Sequence, residues 1–204
     1  TKNEAAHTHE EIAMDRPALV RITGLCMALL AAVPAAAEVV TVTADYDTYI
    51  DKHAPGSSHD YDDLVYWDQK MLYVGAFYDI QKALIHFPKE LLPDPASSAV
   101  SAATLKVKKM GTVVINGTCA TVQVRRITGP WTEQATWNGA PAIGGVVYDS
   151  MTVDPNQSVH SYDVTALVQE ILAEAPEVPW HGVALTPSGF NMGRTVSYVC
   201  VEES

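Results

Sequence analysis

The basic residues in the middle of the chain have the types and spacing expected of a binding site. The chain has 204 residues and a formal net charge of −11, yet residues 95–132 contain no Asp or Glu and five Lys or Arg. Lys106 and Lys108 alternate with apolar residues, and so do Gln123 and Arg125. In two strands whose apolar residues face a core, these four side chains point outward.

If the two strands lie near each other, the four side chains form one cationic stripe. Guanidinium groups bind carboxylates through paired hydrogen bonds, and Lys adds a point charge. A polymer of uronic acids, such as alginate or pectate, suits such a stripe. The alternative is a solvated face that offsets the acidic remainder of the chain.

Trp67 is a second candidate for ligand binding. It lies in a polar stretch close to Tyr61 and Tyr66. Exposed aromatic rings stack on the apolar faces of sugars, so this stretch is a candidate contact for a neutral glycan. The alternative is that Trp67 packs against the core.

A cluster of acidic residues near position 45 is a candidate calcium site. Asp45, Asp47 and Asp51 supply carboxylates, and calcium takes six to eight oxygen ligands. Their spacing is not that of an EF-hand, and the alternative is a solvated acidic segment. Structural calcium is the one cofactor that the sequence suggests.

Other functional classes find little support in the sequence. The chain lacks G-x-S-x-G and H-E-x-x-H motifs and a glycine-rich phosphate loop in a suitable context, which favours binding without catalysis. Its acidity argues against a sequence-independent grip on nucleic acid. No apolar run reaches the 18 residues of a membrane span.

The N-terminal residues have the pattern of a secretory signal peptide. In residues 14–37, two Arg precede a short apolar run, Pro34 and an alanine-rich cleavage site. We therefore expect residues 1–13 to be an upstream extension, residues 14–37 a signal peptide, and residues 38–204 a secreted domain. An extracytoplasmic location permits a disulfide between Cys119 and Cys200, and two buried thiols are the alternative.

The elements that must position these side chains are mainly strands. Gly, Pro, Asn and Asp separate the strand-like segments at intervals that suit an antiparallel β-sandwich. Residues 165–175 instead have helical spacing, with Leu167 four residues before Ile171. Asp163 or Thr165 can cap this helix, and Pro176 stops it. The predicted strands are 39–43, 83–87, 104–108, 121–125, 159–162, 182–185 and 195–199.

The order of several motifs resembles the DNRLRE domain family, a group of secreted β-sandwich modules. The most specific segment is 124–133, Val-Arg-Arg-Ile-Thr-Gly-Pro-Trp-Thr-Glu, followed by Thr-Trp-Asn at 136–138. Weaker matches are Asp-Thr-Tyr-Ile at 47–50, Leu-Tyr-Val-Gly at 72–75 and Tyr-Asp-Val-Thr at 162–165. The literal Asp-Asn-Arg-Leu-Arg-Glu string is absent, and His86 stands where the family often has Arg.

The resemblance implies an all-β, jelly-roll antiparallel β-sandwich with one short helix, of the carbohydrate-binding-module kind. It implies a non-catalytic module that binds polysaccharide, and some related modules bind alginate. The family pattern has one more strand beyond Ser204, so the domain either lacks its last strand or closes its sheet differently. An open sheet edge favours an alternative function, a structural cell-surface or matrix protein acting in adhesion or as a filament subunit. A polysaccharide lyase or hydrolase is a third possibility.

Overall fold

The computed structural model describes residues 39–57, 71–76, 79–93, 100–114, 120–189 and 194–199. These residues form strands, one α-helix and a short 3₁₀ turn. The predicted extension and signal peptide, residues 1–37, lie outside the described residues. The strands are β1 (Tyr46–Asp51), β2 (Met71–Ala76), β3 (Ile80–His86), β4 (Thr104–Val114), β5 (Thr121–Arg126), β6 (Asp149–Thr152), β7 (Val159–Asp163), β8 (Val183–Pro187) and β9 (Arg194–Val199), and the helix is α1 (Thr165–Ala173).

The strands are antiparallel and follow the order β6-β5-β8-β3-β2-β9-β4-β7, with β1 paired to the remaining edge of β3. We call β6, β5, β8, β3 and β1 the front sheet, and β2, β9, β4 and β7 the back sheet. The two sheets join where β2 and β3 pair, at Gly75 opposite Gln81 and Ala76 opposite Ile80. The predicted all-β, jelly-roll-like sandwich with one helix is confirmed.

The main core lies between the two sheets. Strand alternation directs one set of side chains inward from each strand, as with Val122 and Val124 of β5 and Leu105 and Val107 of β4. Helix α1 adds Leu167 and Ile171 to this core, as its spacing predicted. The helix ends at Ala173, three residues before Pro176, and the Thr165 N–H donates to the Asp163 carboxylate at its start.

A second, smaller core covers the outer face of the front sheet. Its buried members are Ile50, Leu84, Ile127, Ala135 and Ala184. Trp131, Trp137 and Ile143 pack against them from residues 127–143, which we call the tryptophan loop. The centre of the front sheet is therefore apolar on both faces. This explains why β3 and β8 carry consecutive buried residues rather than an alternating pattern.

One predicted strand is wrong. Residues 39–43 are β-branched but form no strand, and the exposed fraction of the Val39 side chain is 87%. Strand propensity reflects packing against neighbours, and this segment pairs with no strand in the described ranges. No helix within those ranges has the length and apolar character needed to cross a lipid bilayer.

A polar network is buried in the main core. His160 is fully buried, and its Nδ1 lies 3.0 Å from the hydroxyl of Tyr198, which lies 3.1 Å from that of Tyr162. Burial lowers the pKa of His160, and the Lys109 charge adds to this effect, although the Asp154 carbonyl opposes it. Burial also raises the pKa of Tyr162 to about 12, so this network is neutral at pH 7.

We expect His160 to make the protein sensitive to mild acid. Since its pKa is lower in the folded than in the unfolded chain, the unfolded state binds a proton first as the pH falls below about 6.5. Stability contributed by neutral His160 is complete above that pH and is lost below it. Urea unfolding of His160→Gln from pH 7 to 5.5 is expected to show a shallower loss of stability than the wild type. Equal slopes would contradict this account.

Gly182, immediately before β8, has a backbone that requires glycine. Its φ is +89°, and a Cβ there would lie 2.2 Å from the carbonyl oxygen of Ile85 on β3. The left-handed conformation and the close approach both exclude side chains. Gly182 therefore permits β8 to lie against β3 at this end of the front sheet.

Substituting Gly182 with Ala should lower the free energy of unfolding by at least about 2 kcal/mol, since strain and steric clash add. Gly56 is a suitable control because a Cβ there has no neighbour within 4 Å. Chemical denaturation of the two variants compares them directly. A Gly182→Ala protein as stable as Gly56→Ala would contradict the assigned backbone.

Candidate functional site

The four residues of the predicted cationic stripe lie on two different sheets. Lys106 and Lys108 are exposed on the outer face of β4 in the back sheet, whereas Gln123 and Arg125 are partly buried on the outer face of β5 in the front sheet. The prediction that each side chain points away from the core is confirmed. The idea of a single stripe is wrong, because β4 and β5 are separated by four strands in the sheet order.

Arg125 holds the chain that follows the tryptophan loop. Its Nη1 donates to the carbonyls of Gly144 and Gly145, at 3.3 and 2.7 Å, and its Nη2 donates to Gln123 Oε1 at 2.9 Å. These bonds fix the guanidinium and orient the Gln123 amide. Arg125 is thus a positioning residue as well as a positive charge on this face.

Lys82 of β3 joins Gln123 and Arg125 on the front sheet. Thr186 of β8 is opposite Gln123, and β3 pairs Ala83 with Leu185, so the next step along these strands brings Lys82 beside Thr186. Gln123, Thr186 and Lys82 thus form a row across β5, β8 and β3, which we call the donor row. Neighbouring strands are about 4.8 Å apart, so the row spans about 10 Å.

The tryptophan loop borders the donor row. The Lys82 ammonium lies 4.7 Å from the centre of the Trp137 ring, a cation–π contact that fixes its position. Burial lowers the pKa of Lys82, and the positive charge of Arg125 lowers it further. Two cations held together at a partly desolvated surface favour the binding of an anionic group.

An open pocket of about 330 Å³ lies within the tryptophan loop. Trp131 forms one wall, and its Nε1 donates to the His181 carbonyl at 2.7 Å while its ring packs edge-on against Tyr46 at 4.8 Å. These contacts hold the indole in place. The other lining residues include hydroxyl and amide side chains and are Pro130, Thr132, Gln134, Ala135, Thr136 and Gly139.

The far end of this face, beyond the second core, carries negative charge. Asp45 Oδ1 lies 2.6 Å from His86 Nδ1, and the His86 ring stacks on Tyr46 at 4.4 Å. Burial raises the pKa of Tyr46, and the charges of Asp45 and Glu133 raise it further. His86 is partly exposed on the outer face of the front sheet.

The three candidate calcium ligands do not come together. Asp45 binds His86 beside the start of β1, and Asp47 is buried within the strand. Asp51, at the other end, accepts hydrogen bonds from the His53 N–H and from Gln81 Nε2. The described residues contain no group of three His, Cys, Asp or Glu side chains suited to a metal ion. Calcium binding by the chain stays a prediction.

Trp67, the candidate for stacking on a sugar, lies outside the described residues, and so do Cys119 and Cys200 of the predicted disulfide. Their roles stay predictions.

Sequence reasoning missed Lys82 and Thr186. Lys82 precedes the predicted strand 83–87, and Thr186 follows the predicted strand 182–185. Neither residue was therefore predicted as part of a site. Their alternation with Ala83 and Leu185 indicates that both side chains point away from the main core. The pairing of β3 with β8, about 100 residues apart in sequence, was not predictable from local pattern.

One family model matches the chain over most of its length. It describes carbohydrate-binding module family 96 and covers residues 38–192, a range that includes the donor row and the tryptophan loop. The expected kinship with carbohydrate-binding modules is confirmed, whereas the resemblance to the DNRLRE family stays a prediction. No curated protein matches the chain.

Proposed function

The chain belongs to carbohydrate-binding module family 96, and we propose that it binds an anionic polysaccharide on the outer face of the front sheet, at Lys82 and Arg125. A carbohydrate-binding module is a non-catalytic domain that binds carbohydrate, and we infer that the partner of this chain is a polysaccharide. The observation that supports an acidic polymer is a pair of partly buried cations, Lys82, which lies on the Trp137 ring, and Arg125, whose charge lowers the pKa of Lys82.

The net charge of the protein does not attract an anionic polymer, so binding at this face relies on local contacts. With a net charge of −11, the protein repels a polyanion at long range. Binding therefore depends on short charge-assisted hydrogen bonds, which cost less conformational entropy where the cations are already held in place. Arg125 and Lys82 meet this condition, since one binds backbone carbonyls and the other rests on an aromatic ring.

We expect the bound polymer to extend across the tryptophan loop. Thr136 lines the open pocket and precedes Trp137, which contacts Lys82. A sugar unit over Lys82 would have neighbours within reach of Trp131 and the hydroxyl groups of the pocket. The acidic end, at Asp45 and Glu133, favours uncharged parts of the sugar there.

Lys82→Ala is expected to weaken binding to alginate or pectate about tenfold, the loss typical of one hydrogen bond to a charged group. Arg125 is less suitable for this test because it also holds the Gly144 and Gly145 carbonyls. Lys106→Ala is the matched control, since it removes the same charge from the back sheet and should change affinity less than twofold. Native affinity electrophoresis of the purified protein in gels containing alginate, pectate or a neutral glucan measures all three proteins.

Each outcome of this experiment is informative. Retardation in the acidic gels that weakens with salt supports the proposal, because salt screens exposed charges. If Lys106→Ala weakens binding and Lys82→Ala does not, the back sheet holds the site. If the wild type is retarded in neither acidic gel, the anionic ligand is wrong.

We also propose that the protein is secreted. This rests on the signal-peptide pattern of residues 14–37 and on the extracellular setting in which most polysaccharides occur.

A further inference from the structure

The turn between β6 and β7 carries an exposed acceptor sequence for N-linked glycosylation. Asn156-Gln157-Ser158 matches the pattern Asn-x-Ser/Thr with x other than Pro, and all three residues are exposed. The same pattern occurs at 116–118, which lies outside the described residues. Because so short a motif also occurs by chance, its surroundings in the fold are what support a site at Asn156.

The backbone around Asn156 is held in a tight turn. The Asn156 N–H donates to the Asp154 carboxylate at 2.8 Å, and the Gln157 N–H donates to the Asp154 carbonyl at 3.3 Å. The Lys109 ammonium on β4 donates to the carbonyls of Asp154 and Pro155. None of these bonds involves the side chain of Asn156, so a sugar attached to its Nδ2 would break none of them.

The turn also lies where the sandwich has unpaired strand edges. β6 and β7 are the two ends of the strand order, so each has one edge that pairs with no strand in the described ranges. β7 begins at Val159, directly after the acceptor sequence, and the exposed fraction of Val159 is 45%. Open edges invite pairing with other chains, and proteins often cover them. A glycan is bulky and solubilising, so one at Asn156 would cover the start of these edges.

A glycan at Asn156 is compatible with polysaccharide binding on the front sheet. β5 begins at Thr121, which pairs with Thr152 at the end of β6, just before the turn. β5 ends at Arg126, just before the tryptophan loop. The acceptor turn and the tryptophan loop therefore start from opposite ends of β5.

We propose that Asn156 is an N-glycosylation site and that its glycan protects the open edges of β6 and β7. This goes beyond polysaccharide binding and rests on the proposed secretion, because the transferase acts on chains that enter the secretory pathway. The donor is an oligosaccharide linked to a polyprenyl diphosphate. A bond forms between Asn156 Nδ2 and C1 of the first sugar, and the bond from C1 to the phosphate oxygen breaks. Nδ2 loses one proton, and the polyprenyl diphosphate leaves.

Translation of the full chain in the presence of rough microsomes tests the acceptor site. We expect protection from added protease, removal of the signal peptide, and a shift to lower mobility that peptide N-glycosidase reverses. Asn156→Gln removes the acceptor nitrogen and Ser158→Ala removes the hydroxyl that the motif requires, so each should lose one glycan. A glycan at the 116–118 motif would persist in both variants.

Two matched controls should retain the glycan. Ser158→Thr preserves the motif, and Asn138→Gln changes an exposed Asn that is followed by Gly-Ala and so lies outside any such motif. Light scattering of the purified proteins then tests protection of the edges. Asn156→Gln and Ser158→Ala are expected to aggregate at a lower concentration than the wild type and Ser158→Thr.

Each failure has a distinct meaning. A chain that is protected from protease and has lost its signal peptide, yet carries no glycan at Asn156, overturns the inference and leaves the proposed secretion standing. A chain that never enters the microsomes overturns both. Equal aggregation with and without the glycan overturns its protective role.

Discussion

The burial of the front sheet on both faces is the constraint on which the rest of the structure depends. The main core covers its inner face, and the tryptophan loop covers the middle of its outer face with Trp131 and Trp137. Backbone groups in such a sheet are far from water, so their hydrogen bonds must be satisfied by neighbouring strands. The loop does not cover the whole face, however. At its edge Lys82 and Gln123 remain partly exposed, so the proposed binding surface lies next to the loop that covers the sheet.

Local sequence pattern predicted the direction of side chains well but not their neighbours. Alternation in β4 and β5 correctly predicted that Lys106 and Arg125 point away from the core, and the spacing of Leu167 and Ile171 correctly predicted helix α1. Which strands lie side by side depends on pairings between distant parts of the chain, and a strand's own residues specify these weakly. The predicted site was therefore divided between two sheets. On the front sheet, Gln123 and Arg125 lie with Lys82 and Thr186. No local sequence pattern predicts which residues neighbour Lys82 and Thr186 on adjacent strands.

The tryptophan loop shows how one motif can serve both packing and recognition. Trp131 donates to the His181 carbonyl and packs on Tyr46, whereas Trp137 lies beneath the Lys82 ammonium. Arg125 binds the Gly144 and Gly145 carbonyls, directly after the loop. Rings and cations held by several contacts lose little conformational freedom when a ligand arrives, so more of each contact's free energy remains for binding. The motif that gave the most specific sequence signal therefore also borders the candidate site.

The pairing of β3 with β8 has a consequence for synthesis of the chain. Strand β3 pairs through Ala83, Leu84 and Ile85 with residues 183–185, which emerge from the ribosome about 100 residues later. Until then one edge of an apolar strand is open, and such edges invite pairing with other chains. Domains with distant strand pairings also fold slowly, because long loops must close before the pairs form. During biogenesis this strand therefore benefits from protection by a chaperone.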